Sequence, residues 1–128
     1  MFRIDSVTKQ IHVTRGDIGA IDVTATDIDG NDYTFVFGDI VRLNIFEKKN
    51  PKNVLLSKEI FVDVETNLVT IQLSSKDTRF WTPVSKPTDF WYEIELNPRT
   101  YTRTLVCYDE EGPKLFTIYP EGVVENEQ

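Results

Sequence analysis

Phe90-Trp91-Tyr92-Glu93-Ile94-Glu95-Leu96 is the stretch on which the fold is read. Phe90, Tyr92, Ile94 and Leu96 alternate with Trp91, Glu93 and Glu95. A strand sends successive side chains to opposite faces, so a period of two predicts a strand with one apolar face turned inward. A helix would need apolar residues three and four apart, and no segment of the chain sustains that spacing.

The same alternation recurs on either side. Upstream, Val69, Ile71 and Leu73 share a face, as do Val41, Leu43 and Ile45. Tyr33, Phe35 and Phe37 point one way, with Thr34 and Val36 the other. Ile21, Val23 and Ala25 alternate with Asp22, Thr24 and Thr26, and Ile11 and Val13 with His12 and Thr14. Val54 to Val64 has uneven apolar parity, which predicts a bent or bulged strand. Downstream, Tyr101 to Tyr108 and Leu115 to Tyr119 complete the set.

Turn residues separate these runs: Arg15-Gly16-Asp17, Asp27 to Asp32 with its Asp29-Gly30 pair, Gly38-Asp39, Glu47 to Asn53 around Pro51, Asn97-Pro98, and Asp109 to Pro113. Ser74-Ser75-Lys76-Asp77 has the form of a capping box with Asp in place of Glu, predicting one short helical turn near residues 74–80. Phe80 to Thr88 carries two prolines and reads as a connection. About eight short strands, with turn signals every ~8–12 residues, indicate a sandwich or barrel. A short turn at Asp77 before a tyrosine-bearing strand favours the sandwich. Tyr92 is then either a tyrosine corner, its hydroxyl bonded to upstream backbone, or simply a core aromatic. The expected fold is an all-β, immunoglobulin-like antiparallel β-sandwich. One domain is expected over residues 1–120, followed by an acidic C-terminal tail at 121–128.

Composition bounds the function. The chain has 128 residues, within the ~100–150 typical of one domain. Its net charge is −7. Nucleic-acid binders draw affinity from basic stripes, and none is present, so no nucleic-acid partner is expected. The densest basic group, Lys48, Lys49 and Lys52 around Asn50-Pro51, reads as a solvated hairpin tip. One cysteine, Cys107, allows no intramolecular disulfide and reads as a structural thiol. Met1-Phe2-Arg3-Ile4-Asp5 lacks the apolar core of a signal peptide. No run approaches the roughly 18 apolar residues of a membrane span. Synthesis in a reducing cytoplasm, with no membrane partner, is expected.

Catalytic chemistry finds little purchase. Nucleophilic catalysis needs a positioned base, and the one histidine, His12, falls on the polar face of a strand, where a surface position is expected. Two Cys and His residues in all make no Cys/His metal site, and the isolated glycines make no phosphate loop. Asp27, Asp29, Asn31 and Asp32 offer oxygens for calcium. Gly30 is fourth rather than sixth in that segment, however, and the twelfth position is Gly38, so a polar turn is the better reading. Glu93 and Glu95 share a face about 7 Å apart, a spacing a glycosidase could use but one common on acidic strands. Arg15-Gly16-Asp17 spells an adhesion tripeptide, although the glycine's strand-breaking role explains it. No catalytic residue, cofactor or metal is expected. Phe80, Trp81 and Trp91 remain as candidate interaction residues. Phe80 and Trp81 cap the end of the sandwich, or with Trp91 they form a partner surface or a platform for a sugar ring.

Ile11-His-Val-Thr-Arg-Gly-Asp17, Ile21-Asp-Val-Thr-Ala-Thr26 and Tyr33-Thr-Phe-Val-Phe-Gly-Asp-Ile-Val-Arg-Leu43 occur in that order. They are followed by Lys76-Asp-Thr78, Tyr92-Glu-Ile-Glu-Leu96 and Leu115-Phe-Thr-Ile118. The series resembles the N-terminal domain of tailed-phage upper baseplate proteins and related small structural proteins of Firmicutes phages and prophages, over roughly residues 8–120. The resemblance implies an immunoglobulin-like fold and a non-catalytic role in assembling a virion tail or baseplate. The implied partners are other tail or baseplate proteins and further copies of the chain. Upper baseplate proteins continue into coiled-coil and receptor-linked parts, and this chain stops short of them. A carbohydrate-binding or adhesive module using Trp81 or Trp91 is the alternative expectation, and a hydrolase built on Glu93 and Glu95 is a third.

Overall fold

The alternation at residues 90–96 lies within β7 (Thr88–Leu96), inside a seven-stranded sheet. The computed structural model describes residues 1–26, 29–97, 103–106 and 114–122. On one side β7 pairs antiparallel with β4 (Ile40–Phe46), Leu43 opposite Ile94 and Ile45 opposite Tyr92. On the other side its first half pairs with β9 (Lys114–Tyr119), and its last residues with β8 (Arg103–Val106). Beyond β9 come β2 (Ile11–Thr14) and β1 (Phe2–Ile4), and beyond β4 comes β5 (Val54–Phe61). A second sheet consists of β3 (Gly19–Val23) and β6 (Val69–Leu73), with Ile21 opposite Ile71. The fold is thus predominantly β, with two sheets and, among the described residues, a single 3₁₀ turn at Asp77–Arg79.

The period-two residues meet in one core. Ile21, Val23, Val69, Ile71 and Leu73 from the small sheet join Val41, Leu43, Ile45, Phe90, Tyr92, Ile94 and Leu96 from the large one. Ile11, Val13, Phe116 and Ile118 complete the large sheet's inner face. Each fully buried aliphatic side chain stabilises by ~1.5–3 kcal/mol over an exposed one, so the alternation fixes which face of each strand turns inward. The expected capping box forms: the Ser74 amide donates to Asp77 at 2.8 Å and the Asp77 amide to the Ser74 hydroxyl at 3.1 Å.

Four expectations change. β2 pairs with β9 in parallel, so the large sheet is not antiparallel throughout. β1 forms an edge strand where none was read. Tyr33 to Phe37 makes only an isolated bridge, Phe35 to Thr66. The Asp39 carboxylate accepts from the Val36 amide at 3.0 Å and the Tyr33 hydroxyl at 2.8 Å, and this folds the segment into a loop before a strand can extend. Finally, His12 is buried rather than on the surface, 8% exposed. It stands inside the sheet between Arg3 of β1 and Thr117 of β9, with Nδ1 2.8 Å from the Tyr119 hydroxyl.

Val54 to Val64 shows the irregularity its parity predicted. Ile45 faces Leu56 while Phe46 faces Val54, so the pairing skips Leu55 and the start of β5 is bulged. Cys107, Asp27, the Asp109 to Pro113 turn and residues 123–128 lie outside the described residues.

Candidate interaction surface

Phe80 and Trp81 follow the 3₁₀ turn and pack inward. Phe80 meets Phe90 at 5.1 Å and Phe116 at 5.9 Å between ring centroids, and Trp81 meets Phe90 at 5.4 Å, all steeply inclined. Such pairs add ~0.5–1.5 kcal/mol to their area burial. Both residues close one end of the core, and Trp81 keeps part of its surface open to a cleft. Trp91 is not with them. It lies on the opposite face of β7, between Phe46 and Leu115 in register, and the Lys48 ammonium sits 4.9 Å from its ring. The three aromatic candidates therefore fall on two separate surfaces.

The Arg15-Gly16-Asp17 tripeptide is a structural junction. Arg15 donates to the Trp81 carbonyl at 2.9 Å and to Glu121 at 2.6 Å. The Gly16 amide donates to the Thr78 hydroxyl, which itself donates to the Asp17 carbonyl. Gly16 has φ +89°, and a side chain there would strike the Arg79 guanidinium. Arg79 also pairs with Glu121 at 2.9 Å, so the domain's contacts extend to a residue that the sequence reading placed in the tail.

Glu93 and Glu95 are tied into a polar cluster. The Asn44 amide donates to both carboxylates at 3.0 Å, and Arg42 donates to Glu95 at 2.9 and 3.2 Å. Burial pushes the Glu93 carboxyl above its ordinary range. The Asn44 bond opposes that shift and the neighbouring Glu95 charge adds to it. Among the described residues no group of three or more His, Cys, Asp or Glu is placed to hold a metal, and no helix is long and apolar enough to cross a membrane.

The sequence reading expects docking through a sheet edge or loop end, with strand addition as one mode, but does not single out which strand; the large sheet has such an edge at β5. β5 is eight residues long and, among the described residues, pairs only with β4. Edge strands are commonly guarded by charged side chains, prolines, bulges or inward-pointing charges, and β5 carries two of these, the bulge at its start and the inward Lys58. Here Lys58 stands opposite Leu43 on the inner face and reaches across to the Gln72 carbonyl at 2.7 Å and Asp77 at 2.6 Å. Its head group is held by the neighbouring sheet and the turn after it, while residues 56–61 of β5 keep a regular register with β4. At the end of β5, Phe61 is 58% exposed and packs at 5.8 Å against Phe37, 72% exposed. Val36 and Val64 are exposed as well. Phe37 shares the parity of the buried Phe35 but is exposed, and the Gly38-Asp39 pair that follows it is the signal that could have shown where the strand pattern ends.

No family model matches this sequence, and neither a curated protein nor a solved structure matches it.

Proposed function

We propose that this chain is a non-catalytic structural protein of a phage or prophage virion, a component of the tail or baseplate that works by protein–protein assembly. The observation that carries the assembly reading is the open β5 edge with Phe37 and Phe61 at its end. The regular run of edge backbone at residues 56–61, beside exposed aromatics, is what strand addition uses, with main-chain bonds for affinity and side-chain contacts for register. The occupant is a second copy of the chain, pairing β5 to β5 across a twofold axis, with neighbouring virion proteins docking on the assembled unit. The tail or baseplate setting comes from the resemblance in residues 8–120.

In this reading the fold is an immunoglobulin-like sandwich. The strand order supports it: β9, β7, β4 and β5 follow the order G, F, C and C′ of a variable-type sheet, and β3 and β6 pair as B and E do. Glu93 and Glu95 are structural, their carboxylates engaged by Asn44 and Arg42.

The function is tested by immunogold electron microscopy of particles released from the strain that encodes the chain. Gold on the tail or its tip is the expected result. Particles that carry no label while the chain stays in the particle-free supernatant would overturn the reading.

A further inference from the structure

We infer that the cleft between the β4–β5 turn and the start of β7 binds an anionic saccharide, one sugar ring against Trp81 and its acidic group between Lys49 and Lys86. This site is separate from the β5 edge and does not depend on the assembly reading.

The cleft has a volume of about 500 Å³, within the ~300–1,000 Å³ of small-ligand sites. Trp81, Phe90 and Pro87 give it an apolar wall, and Lys48, Lys49 and Lys86 surround that wall. The Lys48 ammonium lies over Trp91, which leaves Lys49 and Lys86 as the cations open to a ligand in a chain of net charge −7. Neither of them forms an ion pair among the described residues. The two carboxylates of the cleft are already engaged: Glu47 accepts from the Asn53 amide at 3.1 Å and Asp89 from the Thr117 hydroxyl at 2.8 Å. Glu47 and Asp89 are thus held by neighbouring side chains, while Lys49 and Lys86 have no ion-pair partner among the described residues, and the contact surface is aromatic. The occupant that fits both is a ligand with a flat apolar face and a negative group. Lys offers a point charge rather than the planar fork of Arg, which suits a carboxylate or phosphate carried on a ring.

An acidic peptide fits less well. Residues 88–90 of β7 are paired to β9 on one side, and Pro87, which has no N–H, bounds the stretch left open on the other. An added strand would find too few backbone partners, whereas a sugar ring stacked on an indole needs none. Trp81 is the relevant tryptophan, since Lys48 lies over the Trp91 ring.

The test follows the two indole N–H resonances of the isotope-labelled full chain while trigalacturonate or a glucose phosphate is added. Maltotriose serves as the neutral control and hexaglutamate as the acidic-peptide control. The expected result is that at least one anionic sugar moves the Trp81 resonance with a Kd of about 1 mM and moves Trp91 less. Raised salt should weaken the effect, and the K49Q/K86Q double variant should weaken binding by about tenfold. Both lysines are exposed, so that variant keeps its fold, and Trp81→Phe provides a second variant that retains an aromatic ring against Phe90. The inference is overturned if neither anionic sugar moves Trp81 at about 20 mM, if maltotriose or hexaglutamate binds as tightly, or if the double variant binds unchanged.

Discussion

The Tyr92 hydroxyl donates a 2.6 Å hydrogen bond to the backbone carbonyl of Lys9, 83 residues earlier. An immunoglobulin tyrosine corner bonds back only a few residues. Here the same kind of group instead ties the middle of the large sheet to the β1–β2 turn. That turn holds Lys9 at φ +64°, a left-handed conformation that costs a residue bearing a Cβ ~1–2 kcal/mol. Tyr92→Phe should lower stability by about 1 kcal/mol through the lost bond. Lys9→Gly should raise it by up to about 1 kcal/mol, as the relieved strain exceeds the added chain entropy. Urea denaturation midpoints of the two variants check both signs.

Asp39 is buried and accepts hydrogen bonds from Tyr33, the Val36 amide and the Asn97 amide at 2.8–3.1 Å. Asn97, at φ +52°, also accepts from the Ile40 amide at 2.9 Å. Asp39→Ala leaves three part-buried donors without their acceptor, so it should cost about 1–2 kcal/mol. The loop bearing Phe37 should loosen first. Hydrogen exchange at the Val36 amide, compared with global unfolding, measures that.

Phe80 and Trp91 should differ sharply. Phe80→Ala removes two core aromatic contacts and should cost about 3 kcal/mol. Trp91→Ala, on the outer face of β7, should cost about half of that. Equal thermal destabilisation in the two variants would remove the distinction between core cap and surface aromatic.

Two carboxylates titrate in opposite senses. Burial raises the Glu93 carboxyl above 4.5, so its contribution to stability is complete below that pH and is lost as pH rises through the folded value. Glu93→Gln, which can still accept from Asn44, should be more stable than the parent at neutral pH, the gain closing toward pH 4.5. For Asp77, burial works upward, but bonds from Lys58 and Ser74 outweigh it and hold the group below 3.8. Its contribution is present above that value and lost as pH falls through the folded one. Asp77→Asn should therefore be less stable at neutral pH, the deficit closing in acid. Denaturation midpoints measured across pH 3–8 separate the two.

The core was legible because alternation is a local record of burial: Phe90 to Leu96, Val69 to Leu73 and Val41 to Ile45 turn inward as their parity requires. The Ser74–Asp77 box was legible because its bonds span three residues. What escaped was set by distant partners. His12 is buried by β1 and β9, and nothing beside it in sequence records either strand. Phe37 shares the parity of Tyr33 and Phe35, but the Asp39 carboxylate turns the chain before Phe37 can reach the core. Phe80 and Trp81 were found by type and rarity, while their separation from Trp91 needed the register of β7. The lysines that line the cleft with Trp81 come from two connections far apart in sequence: Lys48 and Lys49 read as a solvated hairpin tip, and nothing beside Lys86 in sequence records the cleft.

The central claim is that the β5 edge joins copies of the chain, and sedimentation velocity combined with hydrogen exchange tests it most directly. The parent chain should associate as concentration rises, with the amides of residues 56–61 exchanging more slowly in the associated state. A Phe37→Glu/Phe61→Glu variant should keep its thermal midpoint, since both rings are exposed, yet remain monomeric. A parent chain that stays monomeric at every concentration with fast-exchanging β5 amides, or a double variant that associates as the parent does, would contradict the account.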